Sequence, residues 1–316
     1  MNYIVLIVGF FLLIKGADIF VDGAANLAKK IGIPSVIVGL TIVSLGTSAP
    51  ELSVSIVSAL QGTNELVIGN LLGSNIFNTL VVLGGTAIAA PILFKKETIK
   101  RDYIVNTLVA ILSYVLIFGI TVGIDGELSR VDGFILLAAC VAYIIILVKA
   151  SIKDGVKEEN SGEIKSLSNI LRILVGIAGI VIGGNLVVDS ATAIALSLNM
   201  SEKLVGLTIV AMGTSLPELV TSVVAALKGE KEMALGNVLG SNIFNLLLIL
   251  GTSTAINPCS VGSVLRVDFL FFIVITLLIG VSIFINKNKE KKIGRVEGII
   301  YLLTYAGYLT FIVMRG

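Results

Sequence analysis

One stretch of this chain occurs twice. GLTIVSLGTSAPELSVSIVSALQG at 39–62 returns without a gap as GLTIVAMGTSLPELVTSVVAALKG at 206–229, an offset of 167 residues. The same offset carries GNLLGSNIFN at 69–78 onto GNVLGSNIFN at 236–245, and Gly16, Asp22 and Ala28 onto Gly183, Asp189 and Ala195. Further on, SRVDG at 129–133 resembles GRVEG at 294–298 after a small shift. Any fold assigned to the chain must therefore hold two copies of one unit in equivalent settings.

The solvent for that unit is lipid. Of 316 residues 56% are hydrophobic and 14% charged, where a soluble domain carries roughly 25% charge. A bilayer span takes about 20 mostly apolar residues. Ten such segments follow one another at 3–28, 34–60, 66–90, 103–122, 131–148, 169–197, 203–227, 233–256, 267–285 and 296–314. The first lacks a basic leader and continues apolar past residue 20, so it reads as a span and not as a cleaved signal. The longest polar stretch, Lys149 to Asn169, is too short to fold alone. The sequence thus predicts an all-α integral membrane protein with ten transmembrane helices in two inverted five-helix repeats, 1–150 and 168–316, joined by a cytoplasmic linker at 151–167.

Inversion follows from parity. Five spans per repeat bring the second copy into the membrane from the opposite side, and such halves offer two similar conformations, each open to one face, as alternating access requires. Orientation comes from the basic residues, which collect on the cytoplasmic side. Alternate loops carry Lys29 and Lys30; Lys95, Lys96, Lys100 and Arg101; Lys149, Lys153, Lys157 and Lys165; Lys228 and Lys231; and Lys287, Lys289, Lys291, Lys292 and Arg295. The opposite side holds only Arg130, Lys203, Arg266 and Arg315, which places both termini outside the cytoplasm. A net charge of +2 spread over loops suggests no nucleic-acid surface.

The repeated polar residues carry the chemistry. There is no His, and Cys140 and Cys259 have no CxxC spacing and read as packing residues, so a metal site must be built from oxygen. Glu51 and Glu218 fall near the middle of apolar segments, where a charge costs about 2.5–3.5 kcal/mol on insertion scales. Lys15 has no counterpart, since Ile182 stands there, so a bound cation is the natural partner for two buried carboxylates. Pro50 and Pro217 precede them and remove the N–H groups that would bond the carbonyls of Gly46 and Gly213. A break is expected there, and unbonded backbone in a bilayer is tolerated only when buried in protein or lining a polar cavity. Each GTSxPE thus offers a carboxylate, two hydroxyls (Thr47 and Ser48, or Thr214 and Ser215) and loose carbonyls within one turn. Asn70, Ser74 and Asn78, with Asn237, Ser241 and Asn245, supply further oxygens, the four-residue spacing putting Ser74 with Asn78 and Ser241 with Asn245 on one helix face. Gly69 with Gly73 and Gly236 with Gly240 form GxxxG faces suited to close helix packing. The inventory suits calcium, which takes 6–8 oxygens; the same shell suits sodium, and magnesium less well.

At GTSAPE 46–51 with GNLLGSNIFN 69–78, and GTSLPE 213–218 with GNVLGSNIFN 236–245, the sequence resembles the calcium/cation antiporter superfamily, in its prokaryotic sodium/calcium exchanger branch, over essentially the whole chain. The resemblance implies ten helices, with helices 1 and 6 moving across a core of the others, and four ion sites between helices 2, 3, 7 and 8. Carried over by position, it implies Glu51 and Glu218 as shared calcium and sodium ligands. Thr47, Thr214, Ser48 and Ser215 would be oxygen donors, Ser74 and Ser241 sodium-site hydroxyls, Asn78 and Asn245 central ligands, and Ser44 and Ala211 backbone-carbonyl donors. Archaeal members carry Asp where this chain has Asn245, leaving two carboxylates here instead of three. The function implied is sodium/calcium antiport across a prokaryotic cell membrane, with calcium and sodium ions as substrates, no cofactor, no obligate protein partner and no enzymatic activity. The long regulatory loop of animal exchangers is absent.

Three other readings compete. Proton/calcium antiporters of the superfamily place an acid in a GNxxE pattern where Gly73 and Gly240 stand here. Potassium-dependent exchangers usually have an acid where Asn245 stands. An intramembrane hydrolase using Ser48 or Ser215 would need an activating base, and neither His nor a nearby Lys supplies one. Asp18, Asp22 and Asp189 are left for helix-end solvation or an ion entry path.

Overall fold

The computed structural model describes residues 2–62, 64–119, 126–153, 166–198, 211–284 and 290–315. It is all-helical apart from two short ribbons. The helices are α1 (Asn2–Ile31), α2 (Ser35–Thr47), α3 (Ala49–Gln61), α4 (Val67–Ala89), α5 (Lys96–Phe118), α6 (Arg130–Lys153), α7 (Ser166–Ser197), α8 (Leu216–Leu227), α9 (Lys231–Ile256), α10 (Val264–Phe284) and α11 (Arg295–Arg315). Among the described residues, 8 helices are long and apolar enough to cross a membrane, and α2 with α3, bent by 49° at their break, are so when taken together. Of the predicted segment 203–227, residues 203–210 lie outside the described residues, and the remainder holds a helical turn at Ala211–Gly213 and then α8.

Two boundaries differ from the sequence reading. Helix α6 runs on to Lys153 and α7 begins at Ser166, so both ends of the stretch read as polar linker are helical, each continuing the helix of the span it adjoins. The ribbons were not foreseen. Strand β1 (Ile92–Lys95) pairs antiparallel with β4 (Glu290–Ile293), and β2 (Gly126–Leu128) with β3 (Cys259–Val261), each joining an early segment to a late one.

Packing is reciprocal in the same way. The C-terminal part of α4 packs on α11 and α8, and the matching part of α9 packs on α6 and α3. Phe77, Leu80, Phe244, Phe269 and Phe272 lie in the resulting apolar core. Outside it, α1 and α7 lie along each other with Leu13, Ala17, Phe20 and Ile180 buried between them. This contact requires glycine. A Cβ on Gly16 would stand 2.6 Å from the backbone nitrogen of Ile180, and one on Gly183 would meet the backbone of Leu13. The small-residue face of α9 works likewise against α2, since a Cβ on Gly240 would stand 2.6 Å from Ser44 Oγ. Segment 203–210, which matches residues 36–43 of α2 in the sequence, lies outside the described residues.

Candidate ion-binding site

Both copies of GTSxPE break the helix where proline and glycine predict it. Ser48 (φ −85°, ψ 8°) and Ser215 (φ −94°, ψ 4°) leave helical geometry, and α3 and α8 restart one residue later. Pro50 and Pro217 occupy the second position of the new helices, where a backbone N–H has no intrahelical acceptor to lose. Glu51 and Glu218 follow, in the first turn, at the end where a helix dipole favours negative charge. Helix ends are matched too: Gly62 and Gly229 take φ +79° and +86° at the exits of α3 and α8.

The two breaks meet inside the bundle. Glu51, Glu218, Thr47, Ser44, Ser74, Ser215, Ser241, Asn78 and Asn245 are all 0% exposed, and Ser48 is 3% exposed. Ser48 Oγ donates to Glu218 Oε1 at 3.0 Å, so the break in one copy holds the carboxylate of the other. Ser74 and Ser215 share a hydroxyl–hydroxyl bond at 2.8 Å. Thr47 Oγ1 donates to Asn237 Oδ1 at 3.2 Å, and Asn237 Nδ2 donates to Ser222 Oγ at 2.9 Å. Asn245 Nδ2 reaches Ser74 Oγ at 3.4 Å.

Against this bonded frame stands a set of buried oxygens with nothing to accept. Both carboxylate oxygens of Glu51, Glu218 Oε2, Thr214 Oγ1, Ser241 Oγ, Asn78 Oδ1 and Asn245 Oδ1 have no hydrogen-bond partner. Glu51 and Glu218 are close enough for their charges to repel. Orphaned buried acceptors are rare in native proteins, and two unpaired carboxylates among neutral oxygens are the donor set of a hard cation. Among the described residues no group of three or more His, Cys, Asp or Glu gathers to hold a metal, so the donor set here is two carboxylates and neutral oxygens.

Most of the predicted residues thus converge. Ser44 is buried there, and its carbonyl accepts the Ser48 amide at 2.9 Å; Ala211 lies in the helical turn before the second break. Three residues were missed as members of the frame: Asn75 and Asn242, 0% and 1% exposed, and Ser222. The identical SNIFN in both copies was the available signal for the two asparagines. Asn78 and Asn245 each open a π-helical turn, Asn78–Val82 and Asn245–Ile249, which re-aims side chains in a way no apolar pattern reveals.

The aspartates of α1 serve elsewhere. Lys228, at the exit of α8, lies 2.6 Å from both Asp18 and Asp22 and donates to the Asp18 carbonyl at 2.8 Å.

A helical membrane bundle with paired broken helices and buried carboxylates defines an ion-transporting class of protein. Comparison with known proteins narrows it. Residues 1–149 and 168–314 match the family described as "Sodium/calcium exchanger protein", and the chain belongs to that family. It is 38% identical to the putative antiporter CaxA of Alkalimonas amylolytica across 96% of both chains. To the sodium/calcium exchanger MaX1 of Methanosarcina acetivorans it is 32% identical across 98% of this chain and 97% of that one. The solved sodium/calcium exchanger of Methanococcus jannaschii superposes with a TM-score of 0.82 at 31% identity, covering 98% of this chain and 97% of that one.

Proposed function

We propose that this protein is a secondary active antiporter that exchanges sodium for calcium by alternating access at one buried cluster of overlapping ion sites. The observation that carries the reading is Glu51, 0% exposed with both carboxylate oxygens unpartnered. Calcium or sodium supplies the missing partner. Glu51 and Glu218 are the charged ligands; Thr47, Ser48, Thr214, Ser215, Ser74 and Ser241 give hydroxyl oxygens; Asn78 and Asn245 give amide oxygens; Ser44 and Ala211 give carbonyls. Membership in the sodium/calcium exchanger family supports this choice of ions.

The architecture proposed is ten helices in two inverted repeats, 1–150 and 168–316, with a linker at 151–167. The reciprocal pairing of β1 with β4 and β2 with β3 supports it. The lysine-rich loops put 151–167 in the cytoplasm and both termini outside the cell membrane of a prokaryote. With two glutamates, one calcium or two sodium ions neutralise the site and three sodium ions leave it at +1, so exchange of three sodium ions for one calcium moves charge.

Against proton coupling stands Gly240. The acid of a GNxxE pattern would fall there, but Ser44 Oγ leaves no space even for a Cβ. Sodium-loaded proteoliposomes holding the purified protein will take up labelled calcium, and Glu51→Gln or Glu218→Gln will abolish that uptake. Uptake retained by either variant contradicts the assignment of its carboxylate.

A further inference from the structure

We propose that Asn75 is a positioning residue that fixes which end of the Asn245 amide faces the transported ions. The proposal rests on the reading of Asn245 as an ion ligand and adds a residue that touches no ion.

The orientation follows from a chain of groups with only one way to bond. The backbone carbonyl of Asn242 can only accept, and Asn75 Nδ2 donates to it at 3.3 Å. That leaves Asn75 Oδ1 as an acceptor in need of a donor. Asn245 Nδ2 provides one at 3.0 Å, with a longer approach to Ser74 Oγ at 3.4 Å. An amide that spends its nitrogen this way must present its oxygen on the opposite side, and Asn245 Oδ1 is the buried atom left without a partner. A cation needs that oxygen; the reversed amide would aim two N–H donors at it.

The other copy lacks the device. The offset of 167 makes Asn242 the match of Asn75 and Asn78 the match of Asn245. Asn242 Nδ2 instead donates to Thr79 Oγ1 at 2.8 Å, and the residue matching Thr79 is Leu246. Asn78 has a partner at neither amide atom. The two central asparagines are thus unequal: the Asn245 amide is held by Asn75, and the Asn78 amide has no hydrogen bond that sets its orientation.

The test is a double-mutant cycle on full-length protein in proteoliposomes, reading half-saturation for calcium and for sodium. Partners that orient a metal ligand are worth about 10–100-fold in affinity, so Asn75→Ala should raise half-saturation by about tenfold or more. In an Asn245→Ala background the same change should have an effect below about twofold, because residues acting as a unit are not additive. Asn75→Ser and Asn245→Ser give the same cycle should an alanine variant not insert stably. Losses that multiply, or an Asn75→Ala protein with unchanged affinity, overturn the proposal. A wild-type protein without sodium-dependent calcium uptake would instead overturn the exchange reading on which it rests.

Discussion

Ser48 and Glu218, 170 positions apart in the chain, share a buried hydrogen bond of 3.0 Å. Because Ser48 sits at the break of one repeat and Glu218 one turn past the break of the other, neither copy completes the candidate site alone. Hydrogen bonds to a charged group are worth about 1.5–3 kcal/mol. Ser48→Ala should therefore weaken calcium binding by roughly tenfold or more, measured by isothermal titration in detergent, with the protein still monodisperse.

Glu51 is the clearest case of stability given up for binding. Its carboxylate is buried with no partner, an arrangement that costs free energy until an ion arrives. Chelation of calcium in sodium-free buffer should lower the melting temperature, and saturating calcium should raise it again, a hundredfold excess over Kd stabilising the fold by about 2.7 kcal/mol. Glu51→Gln should show a smaller calcium-induced shift and a higher melting temperature than wild type without ions.

The α1–α7 contact depends on absent side chains. Gly16→Val places its Cβ against the Ile180 backbone, which cannot yield as a flexible side chain would. The helices must separate, with loss of the close packing that holds membrane helices together. Size-exclusion profiles should deteriorate and uptake should fall together, whereas Gly307→Val, whose Cβ has nothing within 4 Å, should change neither.

Lys228 ties the exit of α8 to α1 through Asp18 and Asp22, and the other copy has no lysine for the same ion pair, since Gln61 stands in its place and Asn185 in that of Asp18. Partial burial works against the ammonium charge, but the bonds to both aspartates outweigh it and hold Lys228 above the usual lysine range. A raised value means the tie is fully present below that ordinary range and is lost as pH rises through the higher one. Lys228→Gln should therefore cost stability at neutral pH, by no more than about 1 kcal/mol because all three side chains are partly exposed. Hydrogen exchange around Asp18 and Asp22 in α1 should quicken.

What the sequence revealed depended on contrast. Proline, glycine and glutamate within apolar runs mark the breaks at Ser48 and Ser215 because each is costly in lipid unless it has a purpose. Partner choice was hidden. That Ser48 bonds Glu218, that Lys228 reaches Asp18, and that Asn75 reaches Asn245 depend on how the copies interlock, which one copy's residues do not encode locally. The four-residue strand Ile92–Lys95 was too short to show alternation. The π-helical turns at Asn78 and Asn245 shift side chains with no compositional mark.

The most direct test of the central claim is labelled calcium uptake into proteoliposomes under a sodium gradient and, separately, a proton gradient, with potassium and valinomycin fixing the voltage. Uptake driven by outward sodium and unaffected by the proton gradient identifies the coupling, and its voltage dependence identifies the charge movement: accelerated by an inside-positive potential when three sodium ions leave for one calcium, insensitive to voltage when two leave, and accelerated by an inside-negative potential when one leaves. The two-carboxylate site with exchange of three sodium ions for one calcium predicts the inside-positive acceleration. Uptake that follows only the proton gradient would contradict the account.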